Sequence, residues 1–126
     1  MEPLTQKETF IEEFKSRTQQ YVIRSIRLFQ ALPKTDEARI IGKQFLRSAS
    51  SVGANYRAAC RARSRAEFYA KISITIEEAD ESLFWLEIIR ETDLISAKRL
   101  EELMKEALEI VKVLSKARKN SKVIHE

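Results

Sequence analysis

A chain reverses direction only where its residues allow a tight turn, and this one offers few such places. Gly and Pro occur twice each in 126 residues. An all-β fold needs turn residues every few positions, so long helices joined by few turns are what this scarcity leaves. Hydrophobic residues at 44% and charged residues at 33% fit a globular chain with one core rather than a disordered one. We read residues 1–126 as a single domain with a disordered tail from about 120.

Apolar periodicity divides the chain into four helices. Phe10, Phe14, Tyr21, Leu28 and Leu32 share one face of a helix running from Thr5 to Leu32, and Pro33-Lys34-Thr35 turns the chain. Thr35 or Asp36, both good N-caps, opens a second helix with Ile41, Phe45, Val52, Tyr56 and Ala59 inward. Gly42 and Gly53 lie inside it, each costing about 1 kcal/mol relative to alanine. A continuous helix whose small residues admit a close neighbour is preferred to a break near Ser50. Ser64 and Glu67 read as the N-cap and N3 positions of a capping box. They open a third helix with Phe68, Ile72, Ile76, Ala79, Leu83 and Leu86 inward. A fourth helix runs from near Ser96 to about Lys119, with Leu100, Leu103, Met104, Ala107, Ile110, Val111 and Leu114 on its stripe. Amphipathic helices of about 25 residues joined by short loops predict an all-α, up-and-down four-helix bundle.

The third helix is not polar on its outer side. Ile74, Phe84, Trp85 and Ile88 point away from the core line, beside Glu77 and Glu81. A helix apolar on two faces is buried on both, so these residues are the expected oligomer interface.

Charge is segregated. From Arg39 to Lys71 there are eight basic residues and one acid, Glu67, while from Glu77 to Glu102 there are nine acids and three bases. Lys43, Arg47, Arg57 and Arg61 align on the second helix, and Arg63 and Arg65 carry the charge around the next turn. Guanidinium groups grip phosphate in a forked geometry, so these six are the candidate nucleic-acid-binding residues. The plainer reading is that these arginines pair with Glu77, Glu78 and Glu81 within or between subunits; the alternative function is a protein-interaction scaffold whose arginines form subunit-interface ion pairs.

Nothing catalytic is visible. The only histidine, His125, lies one residue from the C-terminus, and there is no phosphate loop, metal-ligand spacing or nucleophile motif. Glu77, Glu78, Asp80 and Glu81 lack the histidine of a di-iron bundle. A non-enzymatic protein with no cofactor and no metal is expected. Cys60, alone, forms no internal disulfide. No apolar run approaches the ~20 residues that span a membrane, and Met1-Glu2-Pro3 does not open a signal peptide. A cytoplasmic location is therefore expected.

The blocks Ser51-Val52-Gly53-Ala54-Asn55-Tyr56-Arg57-Ala58-Ala59, Ser64-Arg65-Ala66-Glu67-Phe68, Lys71-Ile72, Glu77-Glu78-Ala79-Asp80-Glu81-Ser82 and Trp85-Leu86, at these spacings, resemble the bacterial 23S ribosomal RNA intervening-sequence protein family. That resemblance covers nearly the whole chain. It implies a left-handed four-helix bundle assembled as a homopentamer around a central channel, and a link to structured RNA. A related branch, the accessory protein of diversity-generating retroelements, binds nucleic acid and a reverse transcriptase. Asn55, Tyr56, Arg57, Phe68, Glu78, Glu81 and Trp85 match the family signature, in roles expected to be mainly structural. Ala58 stands where many members carry a glutamate, which makes this surface more basic.

Overall fold

The computed structural model describes residues 2–121. It contains four helices, α1 Gln6–Ala31, α2 Asp36–Cys60, α3 Arg65–Glu91 and α4 Ala97–Asn120. The expected tail beyond Ser121, with His125 in it, lies outside the described residues.

The helix ends follow from local chemistry. Thr5 caps α1 through a reciprocal capping box with Glu8, a pairing that the sequence reading passes over. Thr35 accepts the Ala38 N–H at 3.3 Å and so caps α2. Ser64 accepts the Glu67 N–H at 3.0 Å, half of the capping box expected there. The α3–α4 reversal needs no glycine. Asp93 takes the left-handed conformation at φ 55°, which aspartate tolerates better than most residues. Its N–H donates to Arg90 O at 3.1 Å, and the Leu94 N–H donates to Ile89 O at 3.2 Å. This is the Schellman closure of a helix end.

Each helix packs on the one before it, and α1 meets α4 to complete the ring. Residue numbers run oppositely along α1 and α2. Phe14 meets Tyr56, and Val22 lies against Gly53. Glycine is required at that approach, because a Cβ on Gly53 would sit 2.8 Å from Val22 Cγ2. Valine is stiff about χ1 and cannot easily give way. α2 stays continuous through its small-residue run, and Gly53 within that run serves the α1–α2 contact.

Phe45, Val52, Ile72, Leu86, Ile89, Leu100, Ile110 and Leu114 fill the core, with Tyr21 hydrogen-bonded inside it. Ile41, Phe68, Leu83, Met104 and Val111, expected inside, are half-buried at its margin. Phe10 corrects the expected stripe more sharply, being 44% exposed. It lies where the four helices fail to close over one end of the bundle, leaving a cavity of about 770 Å³. On the weakly packed α1–α4 side, Arg17 forks onto Glu106 with 2.7 and 2.8 Å bonds.

Candidate nucleic-acid interface

The six basic residues do not form one continuous stripe. Lys43 borders a hollow with Phe29 and Leu32. Arg47 turns the other way, toward α3. Its guanidinium donates to Glu78 at 3.2 Å and also to Glu81, and the side chain keeps 51% exposure. This is the pairing with α3 carboxylates expected as the plainer role of the arginines, and it lies within one chain. Glu81 also accepts the Trp85 indole N–H at 3.1 Å.

That indole hydrogen bond, and after it the Arg47 guanidinium, hold the Glu81 carboxyl below its ordinary value of 4.5. A depressed carboxylate pKa stabilises the fold above the unfolded value, and the contribution is lost as pH falls through the folded one. Exposed pairs of this kind are worth ~0.2–1 kcal/mol. Glu81→Gln should therefore unfold at a lower urea concentration than the parent at neutral pH. The gap should close as the buffer is taken below 4.5. An unchanging gap would remove Glu81 from the acid response.

Arg57 and Arg61 face α1. With Lys15 they line a groove of about 440 Å³ between α1 and α2, whose α2 wall is kept low by Ser50, Gly53 and Ala54. The groove's acid, Glu12, is held by Lys15 at 3.2 Å. Neither Arg57 nor Arg61 has an ion-pair partner within 4.0 Å among the described residues. Arg63 and Arg65 continue the charge around the α2–α3 turn, where they border the end cavity beside Lys7. Arg63 reaches Glu67 only at 4.0 Å and is 91% exposed. Four arginines and Lys15 thus share one end of the molecule, on and around an open groove.

Sequence reasoning missed Lys15, whose signal is its place one turn after Ile11 on the flank of α1. It also missed Arg24, Arg27 and Arg99, which meet around Leu28 and Leu103. Finding those needs the α1–α4 contact, which periodicity within a helix does not report.

The outer face expected on α3 is only partly outward, for Trp85 packs against the core. Ile74 is exposed, Phe84 is 50% exposed, and Trp85 and Ile88 are half-buried. Phe84 and Trp85 pack edge to face with centroids 4.9 Å apart. Ile40 of α2, at 65% exposure, is a further large apolar side chain on the surface.

Among the described residues, no group of three or more His, Cys, Asp or Glu side chains is arranged to hold a metal ion. No helix there is long and apolar enough to cross a membrane.

Residues 13–116 match the family described as 23S rRNA-intervening sequence protein. The chain is also similar to a protein with unknown function from the S23 ribosomal protein family of Bacteroides thetaiotaomicron VPI-5482, known from its crystal structure. The two are 34% identical, with a TM-score of 0.79, over 83% of this chain and 97% of that one. No curated protein matches the chain.

Proposed function

This chain belongs to the 23S rRNA-intervening sequence protein family, and on that premise we propose that it is a non-enzymatic, cytoplasmic RNA-binding protein. Phosphates of the RNA lie along Arg57 and Arg61, with Arg63 and Arg65 extending the contact around the turn. The observation that carries this reading is the groove itself. Arg57 and Arg61 line it with Lys15, and no acid among the described residues pairs with either arginine. Unneutralised cations along a groove attract a polyanion and release its counterions. Phosphate contacts of this kind position a nucleic acid without reading its sequence. RNA binding by an Arg57→Glu/Arg61→Glu variant tests the assignment.

The assembly belongs to the same proposal: an up-and-down, left-handed bundle that forms a homopentamer through the outer face of α3. Support comes from among Ile74, Phe84, Trp85 and Ile88. Glu78 and Glu81 set Ile74 apart from the others on the α3 surface, so the cluster that marks an interaction site is Phe84, Trp85 and Ile88. Phe84 is the cleaner probe, because Trp85 is also tied to Glu81 and packs against the core. In light scattering at fixed concentration, Phe84→Glu should fall to a smaller species than the parent while keeping its helical content. A parent protein that is strictly monomeric would contradict the assembly.

One observation favours a second reading, and only for part of the surface. Arg47 is occupied by Glu78 and Glu81 of its own chain, which sets it apart from the RNA groove. A protein partner docking on the α2–α3 face would use that surface.

A further inference from the structure

The cavity at the end of the bundle lies beside the arginine groove but differs from it in kind. Its walls come from the start of α1, the end of α2, the α2–α3 turn, the start of α3 and the end of α4. Phe10 and Phe68 contribute rings, and Lys7, Arg63 and Arg65 stand among its lining residues. Resting on the reading that this end of the molecule binds RNA, we propose that the cavity receives one unpaired nucleobase. Phe10 is its stacking platform, and Arg63, Arg65 and Lys7 hold the flanking phosphates.

Phe10 is the feature that calls for a ligand. A large ring 44% exposed gains by being covered, and this one is already ordered. It stacks on Phe14 with centroids 5.7 Å apart and planes at 14°. Phe14 is in turn fixed edge-on against Tyr56 at 5.1 Å. A ring held in this way loses little side-chain freedom when a second ring settles on it. Base–aromatic stacking needs only that every base has a flat face.

The volume of about 770 Å³ falls within the ~300–1,000 Å³ typical of small-molecule pockets. The charge on the lining residues favours an anion. Its lining is mainly apolar, and the exposed Ser64 and Asn120 at its rim offer hydrogen-bonding groups to the polar edge of a ring. Ser64 Oγ accepts the Glu67 N–H, which leaves its own O–H to donate, and Asn120 adds an amide. Bases inside an A-form duplex are already stacked and paired, so only an unpaired base can enter.

The test uses the full-length protein with a short single-stranded RNA carrying 2-aminopurine. Beside it run the same strand with an abasic site in place of that base, and a duplex of the same sequence. Phe10→Leu keeps apolar bulk and removes the π face. We expect it to bind the single strand about tenfold more weakly, with duplex affinity and thermal unfolding unchanged. On the abasic strand the parent should lose a similar factor, and Phe10→Leu should add nothing further. If Phe10→Leu binds the single strand like the parent while Arg57→Glu/Arg61→Glu weakens both RNAs, the base pocket is wrong and the phosphate groove stands. If no RNA binds even at low salt, both fall together. Phe10-dependent binding of a fluorescent long-chain carboxylate, with no preference for single-stranded RNA, would overturn the proposal in favour of an acyl ligand.

Discussion

Tyr21→Ala is expected to lower the unfolding free energy by about 3–5 kcal/mol, the usual range for truncating a buried aromatic. That is a large share of the ~5–15 kcal/mol that holds a domain folded. Tyr21 is fully buried on α1, and its hydroxyl lies 2.8 Å from Ser82 Oγ on α3. Ser82 spends its own proton on Ala79 O at 2.7 Å, so Tyr21 must be the donor. The bond crosses the bundle diagonally between helices that do not otherwise neighbour each other. Burial pushes the Tyr21 phenol well above its ordinary value of 10.0, so it stays a donor. Tyr21→Phe keeps the ring and loses only that bond, which should cost about 1 kcal/mol. Urea unfolding at one fixed protein concentration, since assembly shifts apparent stability, separates the two. A Tyr21→Ala protein within about 1 kcal/mol of the parent would mean that this diagonal does not organise the core.

The second large effect is on binding. Arg57→Glu/Arg61→Glu should weaken RNA affinity about a hundredfold near 0.1 M salt. Each neutralised phosphate adds roughly 0.9 to the logarithmic salt slope, which at that concentration is close to a factor of ten per contact. Both side chains are exposed on α2, so stability should move by no more than ~0.5 kcal/mol. Arg47→Glu serves as the control. It sets a third carboxylate against Glu78 and Glu81 and should act on stability or assembly while sparing RNA binding. Equal losses in the two variants would move the interface onto the α2–α3 face.

These two outcomes rest on different kinds of sequence information. The helices were legible because scarce turn residues and a 3.6-residue apolar period agree, and because Thr35 and Ser64 announce their caps. The α3–α4 turn hid its mechanism, since Asp93 takes the left-handed conformation usually given to glycine. Phe10 matched the period of its helix but lies where the bundle ends, and periodicity does not report where neighbouring helices stop. The arginines could be found from the sequence, yet their sorting could not. Arg57, ten residues after Arg47, lies about 80° around the helix from it at 3.6 residues per turn. That is enough to send Arg47 to α3 and Arg57 to the α1 groove.

The most direct test of RNA binding by the groove is a salt titration. Nuclease-treated parent protein is titrated with a labelled ribosomal RNA fragment, with duplex DNA alongside. Four arginine contacts predict a slope of log affinity against log salt of roughly −3 to −4, shallower by about two in Arg57→Glu/Arg61→Glu. Absence of binding at low salt, or a slope that those two substitutions leave unchanged, would contradict the account and leave the scaffold reading in its place.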